Sequence, residues 1–173
     1  MRTFIIIIFS LLAFGCSSKK YDRTVTYIER DKFMGDWYVI AGRFTDKERD
    51  AHNAIESYTW NKEKERIDIS FRFNKGGPTG PEEKYTMKGW IETPDNAHWK
   101  VQPFWPIKFD YLMIAIANDY RWTAIGVPDE KYLWIMCRDP YFTKEEVAVV
   151  LQQLKKRGYD TSNITYVSHW EKK

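Results

Sequence analysis

Short runs of alternating apolar and polar residues are the feature that most limits how this chain can fold. Ile67, Ile69 and Phe71 are separated by polar residues, and a period of two places one face of a strand against a core and the other in water. Comparable runs recur at spacings of roughly ten residues, between clusters of Gly, Pro, Asn and Asp, which is typical of an all-β sandwich or barrel. We predict eight strands, at residues 36–44, 53–61, 65–73, 83–92, 97–103, 110–118, 121–127 and 131–138.

A single helix is predicted after the last of these strands. Thr143 and Glu146 have the spacing of a capping box, and Gly158 is suited to end the helix. Four apolar residues fall on one stripe, at Val147, Val150, Leu151 and Leu154. A helix with one narrow apolar stripe packs on a flat surface, so we expect it on the outside of the sheet. Residues 164–167 would add a short final strand.

The first sixteen residues have the pattern of a bacterial lipoprotein leader. Residues 4–14 are apolar but too few for a membrane span of about 20 residues. The run ends at Gly15-Cys16, which resembles a lipobox and implies a signal peptide over 1–15, an acylated Cys16 and a tether over 16–26. Ser17 implies an outer-membrane destination. Ala13 and Phe14 depart from the lipobox pattern, so cleavage to a soluble periplasmic protein stays open.

Composition and charge favour a protein with an aromatic-lined cavity or mouth over one that binds nucleic acid. Aromatic residues make up 17% of the 173 residues, more ring surface than a small core needs, and this suits a lined cavity or an aromatic mouth. The net charge of +3 comes from interspersed charges of both signs, so nucleic-acid binding is not expected. Cys137 is the only cysteine besides Cys16, so acylation leaves no disulfide to form; Cys137 is either a reactive thiol or a small strand residue.

Three separated motifs carry a family resemblance. Gly35-Asp36-Trp37, Asn118-Asp119-Tyr120 and a strand ending at Arg138 resemble the three signature regions of the lipocalins, and the match runs over roughly residues 27–170. The sequence looks most like the bacterial lipocalins related to apolipoprotein D. The resemblance implies one lipocalin domain over 27–173: an eight-stranded antiparallel up-and-down barrel, a C-terminal helix packed outside, and carriage of a small apolar molecule. It gives Gly35, Trp37, Asp119, Tyr120 and Arg138 structural roles at the closed end.

The inward positions of such a barrel are the candidate ligand-binding residues. Eight strands leave an interior that either side chains or one small ligand can occupy. Alternation aligned with the signature residues gives the predicted ligand contacts Val39, Ala41, Ala54, Glu56, Tyr58, Met87, Gly89, Trp99, Val101, Tyr111, Met113, Ala115, Tyr132, Trp134 and Met136. The small members of this set, with Ala124, would leave a hollow. Glu56 either meets a polar group of the ligand or is solvated in a register shifted by one.

No pattern in the chain points to catalysis, a metal site or a cofactor. His52, His98 and His169 lie in separate segments, and no nucleophile motif or phosphate loop is present. We therefore predict a non-enzymatic carrier of a fatty acid, lysophospholipid or similar lipid that supports membrane maintenance at the outer membrane. The alternative is an interaction or structural protein with a filled barrel. Residues 45–51 are a candidate lid, and residues 103–107 are either a lipid-touching mouth or an ordinary turn; whether the chain forms a homodimer stays open.

Overall fold

The computed structural model describes residues 23–170, so the predicted signal peptide, Cys16 and most of the tether lie outside the described part. The elements in chain order are α1 Arg30–Phe33, β1 Gly35–Arg43, β2 Ala51–Asn61, β3 Arg66–Lys75, β4 Glu82–Ile91, β5 His98–Phe104, β6 Ile107–Ile116, β7 Trp122–Gly126, β8 Leu133–Cys137, α2 Lys144–Lys156 and β9 Thr165–Tyr166. Within this part no helix is both long enough and apolar enough to cross a bilayer.

Strands β1 to β8 form a closed antiparallel barrel. Each strand pairs with the next in sequence, and β1 also pairs with β8, which removes the free edges. The predicted fold is confirmed, with most boundaries within a few residues of their predicted places. The short β9 adds to β1 opposite Ala41 and Gly42.

The helix α2 covers one outer face of the barrel, as predicted. Its N-terminus has the full capping box, in which the Thr143 side chain accepts from the Glu146 amide and the Glu146 carboxylate accepts from the Thr143 amide. Val147, Val150 and Leu154 are buried against outward residues of the sheet. The molecule therefore has two apolar cores, one inside the barrel and one between the barrel and α2.

Because of two β-bulges, several residues face the opposite side of the sheet from the predicted one. The register shifts between Val39 and Ala41 in β1 and between Met113 and Ala115 in β6. An extra residue turns the following side chains to the opposite face. The predictions that Ala41, Ala115 and Ala124 face inward are therefore wrong, because all three lie in the core under α2. Ile116, predicted to face outward, instead packs against the inner core.

The signature residues meet at the closed end of the barrel. The Arg138 guanidinium carbon lies 3.7 Å from the centre of the Trp37 ring. The same guanidinium donates to the backbone carbonyls of Lys32, Phe33, Met34 and Asp36. Stacking and carbonyl contacts together fix the segment that crosses beneath the strands.

The other signature residues hold neighbouring turns. The Tyr120 hydroxyl accepts from the Glu29 amide at 2.7 Å, which ties the crossing segment to the β6–β7 turn. Asp119 accepts from the Arg121 amide within that turn. Gly35 has a φ of +94°, in the left-handed region, where a side chain would be strained and would also face Arg138.

Candidate ligand site

The half of the barrel next to the closed end is filled by the protein's own side chains. Phe33, Trp37, Trp99 and Met113 have no exposed surface, and Tyr58 has 1%. The Phe33 ring contacts the Tyr58 and Trp99 rings edge to face, with 5.3 and 5.2 Å between the ring centres. We call these five residues the plug. Ligand cannot enter this half without displacing a close-packed aromatic core.

The half next to the open end keeps exposed inward surface. Met87 and Trp134 belong to the inner core but are only partly buried. By strand alternation Tyr85 and Phe109 also face inward, and both are exposed. Lower in the barrel the exposure falls to 6–8% at Glu56, Phe71, Val101 and Tyr111. These eight residues form the inward surface that stays accessible near the open end, and we call this surface the cup.

A polar cluster forms the floor of the cup. The Tyr58 hydroxyl donates to Oε2 of Glu56 at 2.6 Å. The Tyr111 hydroxyl hydrogen-bonds to that of Tyr58 and lies 3.3 Å from the same carboxylate oxygen. Both tyrosine hydroxyls thus contact the same carboxylate oxygen, Oε2.

Burial controls the protonation of this floor. Loss of water raises the pKa of Glu56 to about 7, and the negative charge of Glu48 adds to the rise, while hydrogen bonds from the two tyrosines oppose it. Burial and the Glu56 charge also raise the pKa of Tyr58 and of Tyr111 well above the usual value, so both phenols stay neutral. Glu56 therefore changes charge near neutral pH at the floor of the cup.

The loop between β1 and β2 reaches across the mouth. The Trp134 indole donates to Oε1 of Glu48 at 3.1 Å. The other carboxylate oxygen of Glu48 accepts from the amide and the hydroxyl of Thr45. One carboxylate thereby links the loop to the wall of the cup, which agrees with the candidate lid at residues 45–51.

The wall of the barrel is incomplete on one side of the cup. Strand β4 pairs with β3 from Glu82 to Gly89, but its described pairing with β5 begins only at Lys88. The β5–β6 hairpin turns at residues 104–107, so by the same register residues 85–87 of β4 lie beside it without a described pairing and residues 82–84 extend past it. A gap in the backbone ladder lies between the two hairpins.

The predicted contact residues divide between the two halves. Glu56, Met87, Val101, Tyr111 and Trp134 border the cup. The inward residues buried away from it are Val39, Ala54, Trp99, Met113 and Met136, while Tyr58 belongs to the plug and contributes only its hydroxyl to the floor. Tyr132 lies just before β8, and its ring packs on that of Trp134 with 5.9 Å between the ring centres.

The hollow predicted from small residues is also absent where it was expected. A Cβ added at Gly89 would lie 3.3 Å from Ile69 and 3.5 Å from Ile67, and Ala54 is fully packed. Sequence reasoning missed Phe71, Tyr85 and Phe109, which line the cup. Alternation could have identified Phe71 and Tyr85, whereas Phe109 lay just outside the predicted strand.

A separate groove of about 350 Å³ lies outside the barrel. It is bordered by the C-terminal segment and the outer faces of β2 and β3, including Tyr38, Ile55, Tyr141 and Trp170. None of the predicted ligand contacts lines it. We assign the ligand site to the cup because the cup combines apolar walls with a few convergent polar groups.

The remaining chemically reactive side chains form no second site. The Cys137 thiol is buried under α2, donates to the Arg121 carbonyl at 3.1 Å, and has a pKa raised by burial. A buried, protonated thiol is unreactive. Among residues 23–170 no three His, Cys, Asp or Glu side chains come close enough to hold a metal ion.

Comparison with known proteins gives the family. Residues 28–169 match the lipocalin-like domain family. Over 164 residues the chain is 29% identical to the outer membrane lipoprotein Blc of Escherichia coli K12, covering 91% of this chain and 90% of the relative. The Vibrio cholerae protein of the same name is 25% identical over 180 residues, covering 96% and 98%.

Solved structures of other lipocalin-fold proteins resemble the barrel. Lobster apocrustacyanin A1 has a TM-score of 0.64 at 12% identity, covering 83% of this chain and 81% of that one. Insecticyanin from the tobacco hornworm has a TM-score of 0.61 at 18% identity, covering 86% and 85%. At these identities the likeness concerns the fold alone.

The family and its bacterial relatives agree with the sequence predictions on three points. They support binding of a small hydrophobic ligand at the cell envelope, a non-enzymatic role, and a lipid-anchored location at the outer membrane. The matched range covers the barrel, α2 and the cup. The chain belongs to the lipocalin family.

Proposed function

We propose that this protein carries one small amphiphilic lipid, such as a fatty acid or lysophospholipid, in the cup, while an acylated Cys16 holds it at the outer membrane. The observation that carries the proposal is the contrast between the two halves of the barrel. Inward side chains are fully buried near the closed end and accessible near the open end. A ligand therefore enters from the mouth and stops at the floor formed by Glu56, Tyr58 and Tyr111.

The depth of the cup limits how a lipid is held. Each buried methylene contributes about 0.8 kcal/mol, and association costs several kcal/mol of lost freedom. The cup takes only part of a long acyl chain, so the lid and the rim must cover the rest. Removal of such lipids from the envelope would serve membrane maintenance.

The floor favours ligands without a buried negative charge. A carboxylate placed next to Glu56 would meet a second acid in a low-dielectric site. A fatty acid or lysophospholipid therefore enters with its tail first and leaves its head group at the mouth. We expect long-chain amphiphiles with neutral, zwitterionic or anionic heads to bind, provided that the head stays outside.

The test of the carrier role is lipid release and titration. Native mass spectrometry of protein purified from its own envelope should find one lipid per chain, and a fluorescent fatty acid should bind and be displaced by lysophospholipid. Met87→Trp, which fills the cup, should weaken binding at least tenfold. Val149→Trp, at an exposed position on α2, is the matched control and should not.

The anchor is tested separately. Cys16→Ser should move the protein from the membrane fraction to the soluble periplasmic fraction and abolish incorporation of labelled palmitate. A variant that stays acylated, or a wild-type protein that takes up no label, would reject the anchor and leave lipid binding untouched.

The plug favours one alternative function. A barrel half filled by its own rings suits an envelope interaction protein without cargo. Protein that carries no lipid from the envelope, with no fluorescence change during titration and no effect of Met87→Trp, would favour this alternative.

A further inference from the structure

The β5–β6 hairpin presents apolar side chains to solvent. Trp105 is 84% exposed and Phe104 is 59% exposed, and Ile107 and Phe109 are also exposed. We call residues 103–109 the apolar hairpin. A contiguous group of exposed large apolar side chains on a small domain marks a surface that contacts something apolar.

The charge of the apolar hairpin is compatible with phospholipid head groups. Lys108 is its only charged residue, and its ammonium lies 3.8 Å from the centre of the Trp90 ring. No carboxylate occurs between Pro103 and Phe109. Aromatic rings beside a cation are the composition that favours the membrane interface.

The described chain begins on the side of the barrel, where the Val25 amide donates to the Met113 carbonyl of β6. The Arg23 guanidinium forms an ion pair of 2.5 Å with Glu130, in the loop between β7 and β8 at the open end. The Arg157 guanidinium donates to the Arg23 carbonyl and fixes this start point. From Arg23 the chain runs along the barrel to Ile28, which donates to the Asp95 carbonyl at the closed end.

The start point limits the distance from an anchor to the mouth. Cys16 is seven residues before Arg23, and seven extended residues span at most about 25 Å. A ten-residue strand such as β6 spans about 33 Å. This reach allows either end of the barrel to face the bilayer, so the position of the apolar hairpin, rather than the anchor, determines the orientation.

We propose that the apolar hairpin docks on the phospholipid bilayer and turns the mouth of the barrel toward it. Docking places the gap between β4 and the hairpin against the membrane surface. A lipid could then move between bilayer and cup along an apolar path past Tyr85 and Phe109 without crossing water. The orientation follows from the position of the hairpin at the open end, and the proposed anchor only holds the chain near the membrane.

The docking proposal is tested with a protein that begins at residue 17. This protein lacks the leader and Cys16 but retains every residue of the described fold. Co-sedimentation with vesicles of phosphatidylethanolamine and phosphatidylglycerol measures partitioning without any ligand. The double variant Phe104→Ser/Trp105→Ser should lower the partition coefficient by about tenfold or more. The matched control Tyr141→Ser/Trp170→Ser removes two exposed rings beside the outer groove and should leave partitioning unchanged.

A second measurement reports insertion directly. Brominated acyl chains should quench tryptophan fluorescence in the wild type, and Trp105→Phe should bind vesicles normally but lose most of that quenching.

Equal partitioning of the hairpin and control variants would overturn the proposal. Vesicle binding that is abolished by 0.5 M salt would also overturn it. A hairpin variant that changes only the mass in analytical ultracentrifugation would identify a second copy as the partner instead. Because neither hairpin substitution lies in the cup, fatty-acid titration of the same variant should be unchanged, which separates this proposal from lipid carriage.

Discussion

The two halves of the barrel use the same strands for different purposes. Near the closed end, inward side chains interlock and Arg138 covers them from below. Near the open end, inward residues such as Met87 and Trp134 keep accessible surface. The contrast indicates that stability is concentrated in the plug, whereas recognition is left to the cup, whose residues are less tightly packed.

The comparison also revises what an eight-stranded barrel implies. A closed barrel of this size can be filled or hollow, and here it is both. Large rings on α1, β1, β2 and β5 meet over the closed end, because Phe33 contacts Trp37, Tyr58 and Trp99 together. The cup above these rings has a polar floor.

A matched pair of methionine truncations, one in each half of the barrel, should give the largest difference in stability. Met113→Ala in the plug should lower the free energy of unfolding by about 2–5 kcal/mol, because it leaves a cavity in a close-packed core. Met87→Ala in the cup should cost less than about 1 kcal/mol but weaken ligand binding severalfold. Urea unfolding and fluorescence titration measure both effects. Equal losses of stability would contradict the division into two halves.

Removing the cover of the closed end should have the next largest effect. Arg138→Ala removes the guanidinium donor from four carbonyl groups, of which that of Phe33 keeps the Trp37 indole as a donor, and it exposes the Trp37 ring. The free energy of unfolding should therefore fall by about 2–3 kcal/mol. Arg138→Lys should recover less than half, because an ammonium lacks the planar fork. Ligand affinity should change less than twofold in both. An unchanged melting temperature would remove the structural role assigned to this residue.

Glu56 should make stability fall as pH rises. Its pKa is about 7 in the folded protein and 4.5 without the fold, so the folded state binds the proton more tightly. This stabilisation is fully present below pH 4.5 and is lost as pH rises through 7, by about 3 kcal/mol in total. Glu56→Gln should flatten this dependence and be more stable than wild type at pH 8, as measured by thermal unfolding. The control Glu83→Gln, at an exposed carboxylate whose pKa is lowered by Tyr85 and Lys75, should leave the slope between pH 5 and 8 in place.

The smallest effect is expected at the lid. Glu48→Gln weakens the charge-assisted contacts with Trp134 and Thr45, so ligand association and dissociation rates should both rise by about two- to fivefold. Affinity should change little because both rates move together. Stopped-flow fluorescence resolves the two rates. Unaltered rates would show that this loop does not control access to the cup.

The sequence was sufficient to predict the strands, the helix α2 and the closed end of the barrel, because local patterns determine them. Alternation predicted the strands, the capping box at Thr143 predicted α2, and three motifs predicted the closed end. Five of the predicted contact residues do border the cup. Whether they contact ligand remains a prediction.

The failures have physical causes that alternation does not contain. A bulge after Val39 or Met113 has no distinct residue signature, so Ala41 and Ala115 were placed on the wrong face. The plug depends on how rings from distant strands interlock, and the size of a residue such as Gly89 does not reveal whether isoleucines fill the space beside it. Which end of the barrel is open to a ligand is therefore a tertiary property.

Methyl NMR tests the central claim most directly, because methionines occur in both halves. With ¹³C-labelled methionine methyl groups and a fatty acid carrying a nitroxide near the end of its chain, the Met87 signal should broaden strongly at saturating ligand. The fully buried Met113 and Met136 should broaden much less, because the floor at Glu56 stops the chain above them. Equal broadening of all three would mean that the ligand penetrates the plug, and no broadening at any of them would mean that the barrel holds no ligand.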